Sequence, residues 1–375
     1  MAQPHESAVE GYRGWTCSWL TQAEHHPGAG TGLWDFYSSP STTSVAAASL
    51  KRQRSLLVIG EALMDTVRRP DGSVQSFPGG SPANVAITLG RLGRAPRLLT
   101  WIGNDPAGRA ISCWLEQSGV ALDERSWGAP RTSSAVADID NDGVATYSID
   151  LSWEARIVDS EQVDLVHCGS VSALHEPGAA TLRDFLTCHR NHFTITYDPN
   201  VRPVLMGGLQ EARRDIEHLV ALADVVKVSD EDLSWLAPKS APLELARKWN
   251  RLGPAIVIVT HGRKGATAVA GANEVHVPSQ AVQVVDTVGA GDTFMGAVID
   301  GLLDQDVIGS DRRAVLGNLS EAQLAGLLSH AVNAAAITVA RAGANPPWRG
   351  ELGATVPVVA GYPSDEVRRQ IGARE

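Results

Sequence analysis

Asp286-Thr287-Val288-Gly289-Ala290-Gly291-Asp292-Thr293-Phe294-Met295-Gly296-Ala297 is the most informative stretch of the chain. It follows the strand-like Val282-Gln283-Val284-Val285 and opens a helix. Phe294, Ala297, Val298, Gly301 and Leu302 recur at i, i+3, i+4, i+7 and i+8, the stripe of a helix with one face in the core. Asp292 falls off that stripe, at the helix N-terminus. Gly289-Ala290-Gly291 lets backbone N–H groups approach a ligand, and the unpaired donors and dipole of the helix behind them make an anion site. A carboxylate beside a bound phosphate can take the proton of an attacking hydroxyl, as phosphoryl transfer requires. Read more plainly, an Asp before Thr at a helix start is an N-terminal cap worth about 1 kcal/mol.

Upstream, short apolar runs at 56–60, 98–103, 165–169, 193–197, 224–228 and 255–259 read as strands buried on both faces. Helical patterns at 82–92, 107–117, 179–188, 210–222 and 243–252 alternate with them, which predicts a parallel sheet covered by helices. Two stretches break the rhythm. Residues 72–77 and 134–150 alternate like exposed strands, the second around Asn141-Asp142-Gly143, and predict a small inserted sheet that is either a lid or an ornamental hairpin. Ser320-Glu321-Ala322-Gln323 is a capping box with Leu319 and Leu324 placed as its staple, so a last helix should run to about Arg341 before Gly343.

The chain has 375 residues, 43% hydrophobic and 20% charged, enough for one large folded domain or two modest ones. A net charge of -10 disfavours nucleic acid. Cys17, Cys113, Cys168 and Cys188 form no CxxC pair, so neither a zinc site nor a disulfide framework is signalled. Residues 1–10 lack the order of a secretory signal and no run approaches a membrane span, which points to the cytoplasm and away from a membrane. Residues 1–54 read as an extension, either a tail or a docking segment anchored by Trp15, Trp19 and Trp34. Residues 55–345 carry the domain, and 346–375 a polar tail.

The 286–297 segment resembles the carboxyl-side signature of the ribokinase/PfkB family of carbohydrate kinases. Gly79-Gly80-Ser81-Pro82-Ala83-Asn84-Val85-Ala86, with Leu89-Gly90-Arg91-Leu92-Gly93, resembles the amino-side signature. The resemblance covers about residues 56–345. It implies a ribokinase-like three-layer α/β fold: a mainly parallel central sheet covered by helices, with a small inserted β-sheet lid whose strands lie within about 71–80 and 131–152. It implies ATP and Mg²⁺ as cofactors, with Asp292 as catalytic base and Gly289, Ala290 and Gly291 as the anion hole.

Gly60-Glu61-Ala62-Leu63-Met64-Asp65 looks like the end of the family's first strand, which makes Asp65 a ligand of sugar hydroxyls, with Gly79, Gly80 and Asn84 beside the sugar. Asp198-Pro199-Asn200-Val201-Arg202-Pro203 resembles the family's DxNxR stretch and implies Asn200 and Arg202 near the nucleotide phosphates, together with Lys227 and Ser229. Ser229-Asp230-Glu231-Asp232 stands where the family has NxxE, with Ser for Asn and Asp for Glu, so either Asp232 or Glu231 serves the magnesium shell. Thr260, Gly262 and Gly265 match the TxGxxG loop near the phosphates, and Asn333 lies in a helix resembling the adenine wall. Asp286 resembles a residue of the monovalent-cation (K⁺) site of some members.

Gly60-Glu61-Ala62 does not open a helix with GxGxxG, and GxxxxGK[ST] is absent, which disfavours a Rossmann oxidoreductase and a P-loop kinase. A sugar- or nucleotide-binding regulator without catalysis is the remaining alternative of another class. No basic cluster flanks Asp65 or Gly80, which favours a free sugar over a phosphosugar. The motifs look most like the fructokinase branch, with ribose, another ketose, a 2-keto-3-deoxy sugar acid and a nucleoside open. Tyr147, Trp153, Glu154 and Arg156 are the lid residues placed to choose among them. Members often pair through the lid, so the resemblance implies a homodimer.

Overall fold

The computed structural model describes residues 54–141, 144–158 and 162–353. Trp15, Trp19 and Trp34, Asp142-Gly143 and the side chain of Tyr147 lie outside the described residues. The elements run β1 (Leu56–Ile59), β2 (Leu63–Arg68), β3 (Val74–Gly79), α1 (Ser81–Arg91), β4 (Arg97–Leu99), β5 (Ile102–Gly103), α2 (Pro106–Gln117), β6 (Ala121–Leu122), β7 (Trp127–Ala129), β8 (Ser134–Ile139) and β9 (Ala145–Asp150). They continue as β10 (Leu165–Gly169), α3 (Gly178–His189), β11 (Thr194–Asp198), α4 (Leu209–Leu222), β12 (Val225–Ser229), α5 (Asp230–Leu236), α6 (Pro242–Leu252), β13 (Ile256–Thr260), β14 (Ala266–Ala270), β15 (Asn273–Val277), α7 (Ala290–Asp304), α8 (Arg313–Leu316) and α9 (Glu321–Val339).

The main sheet is ordered β15-β14-β13-β12-β11-β10-β1-β4-β6. From β6 to β13 neighbouring strands are parallel, and β14 and β15 add an antiparallel edge. Period-2 alternation splits the strands between two cores. On one face Leu165, Val225 and Ile258 meet α1, α2, α7 and α9; on the other Val166, Val226 and Val257 meet α3, α4, α5 and α6. That is the three-layer α/β arrangement. The second sheet, β3-β2-β8-β9, is small, and β2 joins β3 antiparallel and β8 parallel.

Four local expectations change. Asp65 is not at the end of the first strand but within β2, because the chain turns at Gly60 (φ 155), where a Cβ would lie 2.4 Å from Pro82 Cγ. The run at 98–103 splits at Thr100 and Trp101, since Thr100 Oγ1 accepts from Ala62 N–H and Thr100 N–H donates to Ser126 Oγ in place of a strand ladder. Residues 282–285 form no strand; Val285 and Asp286 N–H donate to Val339 O at the end of α9. The β14–β15 hairpin went unforeseen.

The capping box forms at α9, with Ser320 and Gln323 exchanging bonds and Leu319 and Leu324 buried in one core. Among the described residues α9 is the helix long and apolar enough to cross a membrane, but it packs lengthwise on α7. Past residue 345 the chain remains on the domain: Arg349 Nε donates to Leu92 O at 2.6 Å.

Candidate active site

The N-termini of α1 and α7 meet above the carboxyl ends of the central strands. Their approach depends on Gly296, where a Cβ would lie 2.6 Å from Thr88 Cβ. Gly289 takes a left-handed conformation (φ 73) at the N-cap of α7, and that cap has no side-chain hydrogen bond. Asp292 is therefore not a capping residue. Its buried carboxylate turns to α1, accepting from Ser81 Oγ at 2.7 Å and Asn84 Nδ2 at 2.8 Å. The N–H groups of Ala290, Gly291 and Asp292 belong to the first turn, where a helix supplies no internal acceptors. Ala290 N–H reaches Thr287 O at 3.3 Å.

Two cavities open on this turn. The smaller, about 370 Å³, is lined by Asp65, Gly80, Ser81, Asn84, Arg202 and Asp292, together with Glu61 and Asn200. The larger, about 570 Å³, runs from Thr260, Gly262 and Gly265 to an apolar wall of Phe294, Val332, Ala336 and Val339. Thr287 and Gly291 line both, so the cavities adjoin at the start of α7. Burial pushes the Asp65 carboxyl up to about 6; the Arg202 guanidinium opposes that shift and the Asp292 carboxylate adds to it. Asn84 Oδ1 is buried without a hydrogen-bond partner, on a residue that lines the smaller cavity.

Asn200 and Arg202, expected near nucleotide phosphates, line the smaller cavity. The chain reaches it through Asn200 in a left-handed conformation (φ 39) directly after β11. Lys227 is buried behind Gly291 and paired with Asp198 at 2.8 Å. Ser229 caps α5, its Oγ accepting from Asp232 N–H at 2.9 Å while Asp232 returns a bond to Ser229 N–H, so Ser-x-x-Asp forms a reciprocal cap. Glu231 is exposed. Asp286 accepts from Val288 N–H at 3.0 Å and Gly343 N–H at 2.9 Å, tying its loop to the segment after α9. Asn333 lies beside the larger cavity, bridging Gln280 and Leu352 O.

Among the described residues Leu63, Ala135, Ile149 and Leu151 bring the small sheet to the smaller cavity. Of the residues singled out there, Trp153, Glu154 and Arg156 do not line it. Trp153 is 2% exposed and packed in the core against Gly178, and Arg156 stacks on Trp101, 4.2 Å from the ring centroid, while pairing with Glu154. Ser81 and Glu61, which line the smaller cavity, were missed as site residues, although each sits inside a quoted motif.

Residues 53–349 match the family described as pfkB family carbohydrate kinase. The chain belongs to that family. A fructokinase of Klebsiella pneumoniae is 31% identical over 284 residues, covering 72% of this chain and 92% of the relative. A probable fructokinase-4 of Arabidopsis thaliana is 31% identical over 319 residues, covering 80% and 95%. Among solved structures, the fructokinase of Xylella fastidiosa with bound ATP superposes with a TM-score of 0.72 at 23% identity, covering 80% of this chain and 97% of that one. A double mutant of the Vibrio cholerae O395 fructokinase with fructose, ADP and potassium ion gives 0.68 at 25% identity, covering 81% and 99%. The fold is ribokinase-like, and this pfkB member is a sugar phosphotransferase.

Proposed function

We propose that the protein transfers the γ-phosphoryl group of ATP to a primary hydroxyl of free fructose. The observation that carries the reading is the shared wall: Gly291 and Thr287 border both cavities, and Asp292, held by Ser81 and Asn84, stands on the smaller one. The sugar fits the smaller cavity, where Asp65 and Asn84 Oδ1 accept from its hydroxyls and Gly79 and Gly80 admit it close to the backbone. ATP fits the larger cavity, its base on the apolar wall and its phosphates between the Thr260–Gly265 loop and the amides of Gly289 to Gly291. Asp292 takes the hydroxyl proton while those amides bind the transferring phosphoryl group.

Mg²⁺ suits the donor set: among the described residues three metal-binding side chains never gather, and Mg²⁺ binds through one or two carboxylates, waters and the substrate's phosphates. Asp232 is the carboxylate nearest that role, and bound Mg²⁺ supplies charge neutralisation. K⁺ at the Asp286 loop is supported by the potassium-bound Vibrio cholerae structure. Cytoplasmic residence follows from ATP as donor. Pairing through the small sheet is supported by the exposed Val74 and Phe77 on its edge strand.

The acceptor should be neutral. Glu61, Asp65 and Asp292 face one guanidinium, Arg202, so a sugar acid or phosphosugar meets net repulsion. Measured by ADP release, fructose should exceed ribose and a nucleoside in kcat/KM, and 2-keto-3-deoxygluconate and fructose 6-phosphate should fall about 100-fold or more below it. An anionic acceptor that outperforms fructose rejects the reading. Because Asp65 binds as a carboxylate, KM for the sugar should rise about tenfold per pH unit below about 6. The Asp65→Asn variant should lose that limb of the profile.

A further inference from the structure

Glu61 carries a buried carboxyl that the transfer step does not use. It follows β1, is 4% exposed and borders the smaller cavity. Burial pushes its carboxyl above the ordinary range, and bonds from Ser172 and Ser170 oppose that shift. A carboxyl taken out of water costs stability unless it is hydrogen-bonded, so its partners show what it serves. Its backbone is pinned as well: a Cβ on Gly80 would lie 2.5 Å from Glu61 O. From that fixed point beside α1 the side chain reaches the turn after β10.

That turn is strained. Ser170 has φ 56 and ψ -156, a left-handed backbone with extended ψ that glycine adopts readily and serine only under constraint. Ser170 and Val171 both line the smaller cavity. The strained residue is gripped on two sides. Its own N–H donates to Asp198 O at 2.8 Å, at the end of β11, and two residues on Ser172 N–H donates to Glu61 Oε2 at 3.2 Å. Ser172 Oγ closes the turn on Gly169 O at 3.0 Å. The first grip is backbone to backbone, whereas the second needs Glu61.

We propose that Glu61 is a positioning residue for the acceptor: its carboxyl clamps Ser172 and so holds Ser170 and Val171 in the strained turn that forms one wall of the sugar cavity. The inference rests on the sugar-kinase reading of that cavity and adds the residue that fixes its shape. Without the clamp Ser170 relaxes to an ordinary backbone, and the sugar must restore the strained one when it binds. That cost falls on affinity rather than on the phosphoryl step, since Asp292 keeps its own bonds to Ser81 and Asn84.

Glu61→Ala should raise KM for fructose about ten- to a hundredfold, the range set by the cost of that backbone, with kcat within about threefold of the parent. Affinity for ADP should hold, because both residues border the smaller cavity. A mere loss of folded enzyme would instead lower kcat and leave KM alone. Glu61→Gln should raise KM less, as its amide oxygen still accepts from Ser172 N–H. In a Ser170→Gly background, where the turn needs no clamp, Glu61→Ala should change KM by less than about threefold. Without sugar, hydrogen exchange over residues 170–174 should be about tenfold faster in Glu61→Ala than in the parent. The proposal fails if Glu61→Ala keeps KM within about threefold, if Glu61→Gln raises KM as much as Glu61→Ala, if the two substitutions are additive, or if exchange is unchanged. Should Glu61→Ala not fold, the Ser170→Gly background must restore folding, and a double variant that stays unfolded overturns the proposal. A parent enzyme that ignores fructose rejects the acceptor, while the sugar-free exchange still tests the clamp.

Discussion

Asp292→Asn is expected to lower kcat by about three to four orders of magnitude, the upper part of the range for a general base, with the fold retained. The amide keeps the shape that Ser81 Oγ and Asn84 Nδ2 grip at 2.7 and 2.8 Å, so helix packing at the α1–α7 contact should survive. What disappears is the acceptor for the sugar's proton. KM for fructose and affinity for ADP should change little, because Asp65 and the larger cavity are untouched. Steady-state kinetics and calorimetric ADP binding check this. A variant with turnover within tenfold of the parent would show that the proton leaves by another route and that Asp292 serves only to join the helices.

The largest expected loss of stability is at Asp300. Its carboxylate is 0% exposed and accepts from Arg94 Nε at 2.6 Å, from His330 Nε2 at 2.8 Å and from Arg349. It therefore ties α7 to the end of α1, to α9 and to the segment after residue 345. Burial alone would raise its pKa, but the bonds from His330 and Arg94 outweigh burial and hold it below the usual carboxylate range. Asp300→Ala leaves two guanidinium groups and an imidazole around a void, and should cost about 3–5 kcal/mol in urea unfolding. That is a large share of the roughly 5–15 kcal/mol that holds a folded protein together. The sign with pH is fixed: a depressed folded pKa adds stability above the unfolded carboxyl pKa and loses it as pH falls through the folded value. Parent and variant should converge in acid. A cost under about 1 kcal/mol at neutral pH would mean that the two guanidinium groups and the imidazole are solvated well enough without it.

Much of this was legible because it is local. The stripe after Asp292 and the Ser320–Gln323 box predict α7 and α9, since helix bonds and caps close within four residues. Short apolar runs predict β1 and β10 to β13, because a parallel strand is buried on both faces. The β14–β15 hairpin was missed for the opposite reason: Ala266–Ala270 is small and apolar at an edge, where pattern is weakest, and Gly271 (φ 59) is a lone turn signal. Trp153 read as a substrate-selecting residue from its position after the inserted strands, yet it fills a hole left by Gly178, a packing fact invisible in a linear string.

The sequence by itself determined the layered α/β class, the helix with its anion-binding turn, and the two motifs that must cooperate, because period, caps and glycine spacing are written residue by residue. Tertiary structure alone decided which groups face one another. It brought Ser81 and Asn84 onto Asp292 across 211 and 208 positions, placed Arg202 on the polar cavity, and set Lys227 behind Gly291. Parallel strands joined by helical crossovers place their carboxyl ends side by side whatever their separation along the chain, and the chemistry is assembled there.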